Sequence, residues 1–422
     1  MSLFEYDARP ATPQVILAGR ASPVAYAIRD FLSRNQRPFQ WHDVDQSGTT
    51  LPDGSAVDLE HLPLCVLPGG TRLTDATVTL VAAGLGMIVP PAFDAYDLCI
   101  IGAGPAGLAA SVYAASEGLR TIVVESLAPG GQAGTTSLIE NLLGFPRGIS
   151  GSELANSATL QARKFGAEIL LARPVDGVTR DDGRYVVELS DGVRIPTSAV
   201  LVATGVEWRR LDIPGLDELL GAGVFYGAGP SEARACVGGR VMVVGGGNSA
   251  GQAVVRFSQY AGKVTLLARS DLSKSMSRYL IDHVSSIDNV EVRTGYEVAG
   301  VEASGVLRAV DVVAADGSTE RVPVDGLFLC IGGTPRNDGA KKAGVVTDAA
   351  GYLLTGNALI DGASSLTGWP LSRQPLPLET NFPGIFAAGD VRSGSTKRCA
   401  AAIGEGSMSI ALVHQHLAEV GA

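Results

Sequence analysis

The sequence predicts an α/β protein: two units, each a parallel sheet flanked by helices, behind a smaller α/β domain of its own. Three observations carry this. A strand-like apolar run meets a glycine-rich turn at Gly102–Gly107, a second such pairing occurs at Gly245–Ala250, and residues 1–93 have a separate strand and helix order ending at Pro90-Pro91.

The first pairing lies within YDLCIIGAGPAGLAASVYAASEGLRTIVVE, Tyr96–Glu125. The run Leu98–Ile101 leads into Gly102, Gly104 and Gly107 at the spacing GxGxxG. The run Thr121–Val124 then ends on Glu125. Gly102 lets the chain turn off the strand, Gly104 lets backbone N–H groups approach a pyrophosphate, and Gly107 lets the helix pack on the sheet. A helix over Pro105–Glu117 points its positive end at the phosphates, and Glu125 accepts hydrogen bonds from a ribose. This is the dinucleotide fingerprint of a Rossmann unit.

The totals narrow the remaining classes. A chain of 422 residues predicts two to four domains. A net charge of −10 opposes nucleic acid and anionic membrane as partners. No apolar run of transmembrane length and no basic-then-apolar start is visible, so a cytoplasmic location is expected. The five cysteines, Cys65, Cys99, Cys236, Cys330 and Cys399, are scattered singly, with neither a CxxC nor a metal-spaced cluster.

Residues 1–93 read as strand Val15–Ala18, helix Pro23–Arg34, strand Phe39–Val44, a hairpin of Leu64–Leu67 and Arg72–Leu73 about Pro68–Gly70, and helix Asp75–Leu85. This order resembles a thioredoxin or glutaredoxin fold. Where that fold carries a CxxC after its first strand, Ala21-Ser22-Pro23-Val24 stand here, which implies a docking or structural role. Pro90-Pro91 is a stiff link.

Beyond Glu125, Gly130-Gly131-Gln132 form a tight turn suited to approach a flat ligand, followed by Glu140-Asn141. Turn signals at Asp181–Gly183 and Asp191-Gly192 predict a small antiparallel layer inserted in the nucleotide domain. Strand Ala199–Ala203 ends in Ala203-Thr204-Gly205. The second fingerprint is strand Arg240–Val244, the GxGxxA turn Gly245-Gly246-Gly247-Asn248-Ser249-Ala250, helix Gly251–Tyr260 and strand Val264–Leu267. That strand ends in Ala268-Arg269-Ser270, with Lys274 near. Basic residues at this point suit the 2′-phosphate of NADPH, where an acid would suit NADH. Near the C-terminus FPGIFAAGD, Phe382–Asp390, is a turn and strand, with a helix expected over Lys397–His416. Asp390 can bond a ribityl chain, and the helix start can stabilise negative charge on a flavin.

In this order, GAGPAGLAA, GGQ, EN, ATG, GGGNSA and FAAGD resemble the low-molecular-weight thioredoxin reductases, over about residues 94–422. The resemblance implies an FAD domain of 94–210 plus 332–422, interrupted by an NAD(P)H domain of 211–331. It implies FAD contacts at Gly102, Gly104, Pro105, Ala106, Gly107, Glu125, Gly131, Gln132, Asn141, Ala203, Thr204, Gly205, Gly389, Asp390, Arg398 and Ala400. For the nicotinamide dinucleotide it implies Gly247, Asn248, Ser249, Arg269 and Lys274, with Ser270 standing where the family has a second phosphate-binding arginine. It further implies a homodimer, and rotation of one domain against the other.

One departure shapes the expected chemistry. The family's CxxC falls in Val224–Ala235, at about Ala228 and Ser231, and neither is cysteine. Alanine forms no disulfide, and serine does not exchange thiols. The expectation is therefore an FAD-dependent oxidoreductase that takes hydride from NADPH, with NADH possible, and passes electrons directly to a non-dithiol acceptor. That acceptor would be a small molecule such as a quinone or oxygen, or a protein carrier; reduction of thioredoxin is excluded on this reading. Alternatives are a ferredoxin–NADP reductase-type enzyme, an oxygen-dependent substrate oxidase and a redox-sensing binding module. Cys99 and Cys330 read as core thiols inside strands and Cys65 as core. Cys236, near the lost motif, has no second cysteine at CxxC spacing. Cys399, at the last helix start, is a catalytic candidate whose pKa the helix terminus would lower. His414 and His416 face different directions on that helix, so no metal is expected. Leu366–Leu378, with Trp369, reads as a surface loop, or a lid or dimer contact.

Overall fold

A computed structural model describes residues 14–421 except 137, 182, 228–235 and 362–368. Its N-terminal sheet contains β1 (Val15–Gly19), β2 (Phe39–Asp43), β3 (Leu64–Val66) and β4 (Arg72–Leu73) in the order β2-β1-β3-β4. β1 runs parallel to β2 and antiparallel to β3, which pairs antiparallel with β4. Ser22 Oγ accepts the Ala25 N–H and caps the helix Pro23–Arg34. β2 ends a residue earlier than its apolar pattern suggests, because the Asp43 carboxylate caps a one-turn helix from Val44. The next helix spans only Val78–Gly84: Asp75 has φ +48°, and Thr77 accepts the Leu80 N–H as its cap. Leu17, Ile28, Phe31 and Leu32 form the core of this unit, and the same cluster includes Ala172 of the following domain, with Leu127 packed against it.

The second sheet is built on β5 (Tyr96–Ile101), β6 (Thr121–Val124), β7 (Glu168–Leu170), β8 (Val175–Asp181), β9 (Arg184–Leu189) and β10 (Arg194–Val202), in the order β7-β6-β5-β10-β9-β8. The helix Pro105–Ser116 follows β5 and buries Ala106, Gly107 and Leu108. The antiparallel strands are continuous with this sheet, where a separate inserted layer was expected. β10 is long enough to pair with β9 through Arg194–Thr197 and with β5 through Thr197–Val202.

Two strands cross between the nucleotide domains, β11 (Val206–Trp208) and β20 (Gly333–Pro335), which pair antiparallel. Between them lie β12 (Val224–Tyr226), β13 (Arg240–Val244), β14 (Lys263–Ala268), β15 (Val290–Thr294) and β19 (Gly326–Leu329), a parallel sheet in the order β12-β19-β13-β14-β15. A second, three-stranded antiparallel sheet holds β16 (Tyr296–Ser304), β17 (Val306–Ala314) and β18 (Thr319–Pro323). The helix of the second fingerprint begins at Asn248, earlier than Gly251, and ends at Ser258.

The chain then returns. β21 (Ile385–Ala387) pairs parallel with β10, restoring the last strand to the first nucleotide sheet. The closing helix, Cys399–Val420, packs against Pro105–Ser116. A Cβ at Gly406 would stand 2.1 Å from the Ala106 carbonyl oxygen, so only glycine allows the two helices this approach. Among the described residues no helix is long and apolar enough to cross a membrane.

Candidate functional site

Both glycine turns open on one cavity of about 600 Å³. From the first fingerprint it is lined by Gly102, Gly104, Pro105 and Ala106, with Glu125 behind them. Gly102 has φ +105°, and a Cβ there would lie 2.5 Å from the Ala203 carbonyl oxygen, which explains why the turn after β5 needs glycine. Gly107 does not line the cavity. Its Cβ would stand 1.9 Å from the Gly102 carbonyl oxygen, so this third glycine serves helix-to-strand packing.

Glu125 is buried, and both carboxylate oxygens already work within the turn. Oε2 accepts the Ala103 N–H at 2.8 Å, and Oε1 accepts the Leu127 N–H at 2.9 Å. A carboxylate has lone pairs to spare, so the acid braces the turn while lining the cavity. Gly131, Gln132 and Asn141 line the cavity, and Gln132 Nε2 donates to the Val206 carbonyl at 2.7 Å, tying the turn to the crossing strand. Ala203, Thr204 and Gly205 also line it, and the Thr204 hydroxyl donates to the Arg336 carbonyl.

From the C-terminal return come Gly389, Asp390, Arg398 and Cys399. The Gly389 N–H donates to Glu405 Oε2 at 2.7 Å, which fixes this strand end over the closing helix. Burial pushes the Asp390 carboxyl up from its ordinary range, Lys397 pulls it down, and Glu405 pushes it up. Ala400, one residue into the helix, is not among the lining residues. The Cys399 thiol is pushed up, first by burial and then by Asp390, the reverse of the lowering expected from the helix terminus. Cys330 lies just beyond β19, not inside a strand, and lines the cavity; burial pushes its thiol up to about 12.

Of the second fingerprint, Asn248 and Ser249 reach the same cavity, joined by Gln252 and Ala253. Asn248 is held by exchanged bonds with Ser277, at 3.0 Å and 2.7 Å. Gly247 caps the helix N-terminus just outside the cavity lining. Arg269 and Lys274 are exposed and off the cavity, and Arg269 has Glu297 at 4.0 Å. Ala228 and Ser231 lie outside the described residues.

Sequence reasoning missed three cavity arginines. Arg34 comes from the N-terminal helix, Arg173 from the turn after β7, and Arg336 from the turn after β20. Arg173 is 7% exposed, and its Nε and Nη1 have no protein partner, while Nη2 pairs with Asp191 at 3.0 Å. Nothing in their local sequence marks them, since each reaches the cavity through tertiary packing. Cys65 and Cys99 are fully buried, as expected of core thiols, and Cys236 is buried. His414 faces Glu117 at 2.9 Å, whereas His416 is buried near Phe386. Among the described residues no group of His, Cys, Asp and Glu could hold a metal.

A family model for pyridine nucleotide-disulphide oxidoreductases matches residues 96–406. The chain belongs to that family. Thioredoxin reductase from Bacillus subtilis (strain 168) is 33% identical over 331 residues, 77% of this chain and 96% of the relative. Its counterpart in Listeria monocytogenes is 33% identical over 323 residues, 74% of this chain and 91% of the relative. Among solved structures, Lactococcus lactis thioredoxin reductase in its FR conformation superposes with a TM-score of 0.68 at 26% identity, covering 77% of this chain and 99% of that one. Thioredoxin reductase from T. acidophilum gives 0.67 at 27%, covering 76% and 99%.

These relatives correct two expectations. The missing CxxC was taken to place the chain outside the thioredoxin reductases, yet relatives this similar along nearly their whole length are thioredoxin reductases. The acceptors expected here, small oxidants or an unspecified carrier, left out thioredoxin, the protein named in those relatives. A missing dithiol bears on one segment, while membership rests on the two-nucleotide scaffold as a whole. The chain is an FAD-dependent oxidoreductase of the pyridine nucleotide-disulphide oxidoreductase family, with FAD and NADPH as its cofactors. The cavity fits a dinucleotide: a Cβ at Gly104 would come no closer than 3.9 Å to its nearest neighbour, and unpartnered guanidinium N–H groups of Arg173 lie buried in the wall.

Proposed function

We propose that this chain is an NADPH-dependent flavoprotein reductase of the thioredoxin reductase kind, with a protein disulfide as the destination of its reducing equivalents. One observation carries the reading: Asn248 and Ser249, at the N-terminus of the second fingerprint helix, line the same cavity as Gly102–Ala106, Gln132 and Asp390. Two dinucleotides held on these turns meet within one space, which is what transfer between them requires. FAD, when bound, supplies the site that accepts hydride from the nicotinamide.

In this reading the chain's residues orient and shield. Gly102, Gly104, Pro105 and Ala106 cradle the FAD pyrophosphate, Glu125 the ribose, and Asp390 the ribityl chain. Gln132, Asn141, Ala203, Thr204, Gly205, Gly389 and Arg398 complete the wall. Asn248 and Ser249 hold the nicotinamide dinucleotide near its phosphates, with Arg269 and Lys274 outside the cavity at the end of β14. Residues 14–90 form a thioredoxin-like unit without redox chemistry, and the active assembly is a homodimer. Cys330 and Cys399 are the cysteines that line the cavity, and raised pKa values keep both as thiols at neutral pH.

Anaerobic mixing with one equivalent of NADPH is expected to bleach the purified yellow protein within the mixing time or shortly after. Addition of oxidised thioredoxin should then restore the oxidised spectrum and generate thioredoxin thiols. Absence of bleaching by NADPH sinks the reading outright. Bleaching without thioredoxin thiols preserves the NADPH and FAD half and removes the protein disulfide.

A further inference from the structure

The family match begins at residue 96, so the N-terminal unit lies outside it. That unit nonetheless reaches the cavity wall through Arg34, in the last turn of the helix Pro23–Arg34. Arg34 Nη2 donates to the Gly131 carbonyl at 2.8 Å, and its side chain is 18% exposed. Its Nε is buried without a partner, and Asp30 Oδ2 lies 3.7 Å from Nη1. Gly131 in turn abuts Gly104: a Cβ on Gly131 would stand 3.1 Å from the Gly104 Cα. Arg34 is therefore bonded to the residue that packs on Gly104, the glycine whose spacing suits backbone approach to a pyrophosphate, and both Arg34 and Gly104 line the cavity. Its anchoring is firm, because the adjacent Asn35 Nδ2 donates to the Leu127 carbonyl at 3.2 Å and the N-terminal core runs into Ala172.

We propose that the N-terminal unit is a third contributor to the FAD site, with Arg34 supplying a cation to the pyrophosphate from outside both nucleotide-binding domains. The inference rests on FAD occupying the first fingerprint. A guanidinium has five donors in a fixed fork, and Gly131 uses one, leaving others for phosphate oxygens. Asp30 partly offsets the charge and keeps Arg34 oriented while the site is empty. The inference gives residues 14–90 a direct role in cofactor retention.

The test measures FAD affinity on the full-length apoprotein, by quenching of flavin fluorescence and without NADPH. This keeps it independent of electron transfer and of the acceptor. R34M is expected to weaken FAD binding roughly tenfold, the value of one charge-assisted contact, and to flatten the dependence of affinity on KCl. ADP, which carries the pyrophosphate without the flavin and is read by its competition with FAD, should lose affinity to the same extent. R34K should bind FAD more tightly than R34Q, because charge matters more than the bond to Gly131. Wild-type affinity in R34M, or in R34Q, overturns the proposal, the latter by showing that Arg34 only braces the turn. Should R34M not fold, the R34K and R34Q comparison decides alone.

Discussion

At the scale of single residues, Asp390 carries a burial cost that its proposed place in the FAD site would account for. Its carboxyl is pushed up chiefly by burial, so the folded apoprotein holds that proton more tightly than the unfolded chain does. This group therefore favours folding at low pH, and the advantage is lost as pH rises through its folded pKa. Above the folded pKa the carboxylate is ionised in both states and the burial cost is fully present. Asp390→Asn removes it: the apo variant should melt above the wild type at pH 7, with the gap closing on acidification, and should bind FAD more weakly. A variant that melts lower at pH 7 with unchanged FAD affinity would show Asp390 to be structural. Cys399 teaches the complementary point. Its place at a helix start was readable in the sequence and suggested a lowered pKa, but burial and Asp390, invisible in the sequence, push the other way.

At the scale of elements, the glycine turns were legible because each glycine answers a local constraint. Gly102 and Gly245 have φ +105° and +147°, and a Cβ on either would meet a carbonyl oxygen, of Ala203 and of Cys330. The arginines at the cavity were not legible, since Arg34, Arg173 and Arg336 arrive from three separate elements. Nor was the continuity of β10 with two partners, because turn residues mark where a strand ends and not which neighbours it takes. The stretch read as a surface loop or lid shows a third limit. Residues 366–368 lie outside the described residues, but the part from Trp369 is anchored away from the cavity. Arg373 Nη1 pairs with Glu379 Oε2 at 2.6 Å and its Nε with Glu419 at 2.7 Å; Glu379 is fully buried. Arg373→Met leaves that carboxylate buried without its cation, with the Leu376 and Gly384 N–H groups still donating to it, and should destabilise the protein by about 3–5 kcal/mol, measured as a fall in the urea midpoint. A double substitution that also replaces Glu379 with Gln, which removes the buried charge and keeps an amide oxygen as acceptor for those backbone N–H groups, should recover part of it. Equal losses in the single and double variants would place the cost in packing instead.

At the scale of the whole molecule, the N-terminal unit touches both nucleotide domains. Its core runs into Ala172 on one side. On the other, Tyr26 meets Phe225 edge-on at 5.6 Å, Phe225 stacks on Phe328 at 4.9 Å, and a Cβ on Gly221 would stand 2.6 Å from that of Tyr26. Ala21 of the Ala-Ser-Pro-Val stretch also packs against the cluster that contains Val224. The sequence suggested a separate unit over residues 1–93 and a stiff link, while contacts to two partners at once depend on how three surfaces fit. Tyr26→Ala should leave FAD binding in place and speed amide exchange across Leu216–Tyr226 at least severalfold. Unchanged exchange there would mean that Tyr26 carries none of the interface.

The two nucleotide domains are two bodies joined by a pair of crossing strands, β11 and β20. A third body fastened to both closes a triangle, and a closed triangle of rigid parts has no free swing. Any swivel of the nucleotide domains in this chain must first open a side of that triangle, and the side made of Tyr26 and Phe225 is a small aromatic contact. The N-terminal unit thus ties the two halves of the cavity to each other through its own contacts, beside the direct tie of the crossing strands.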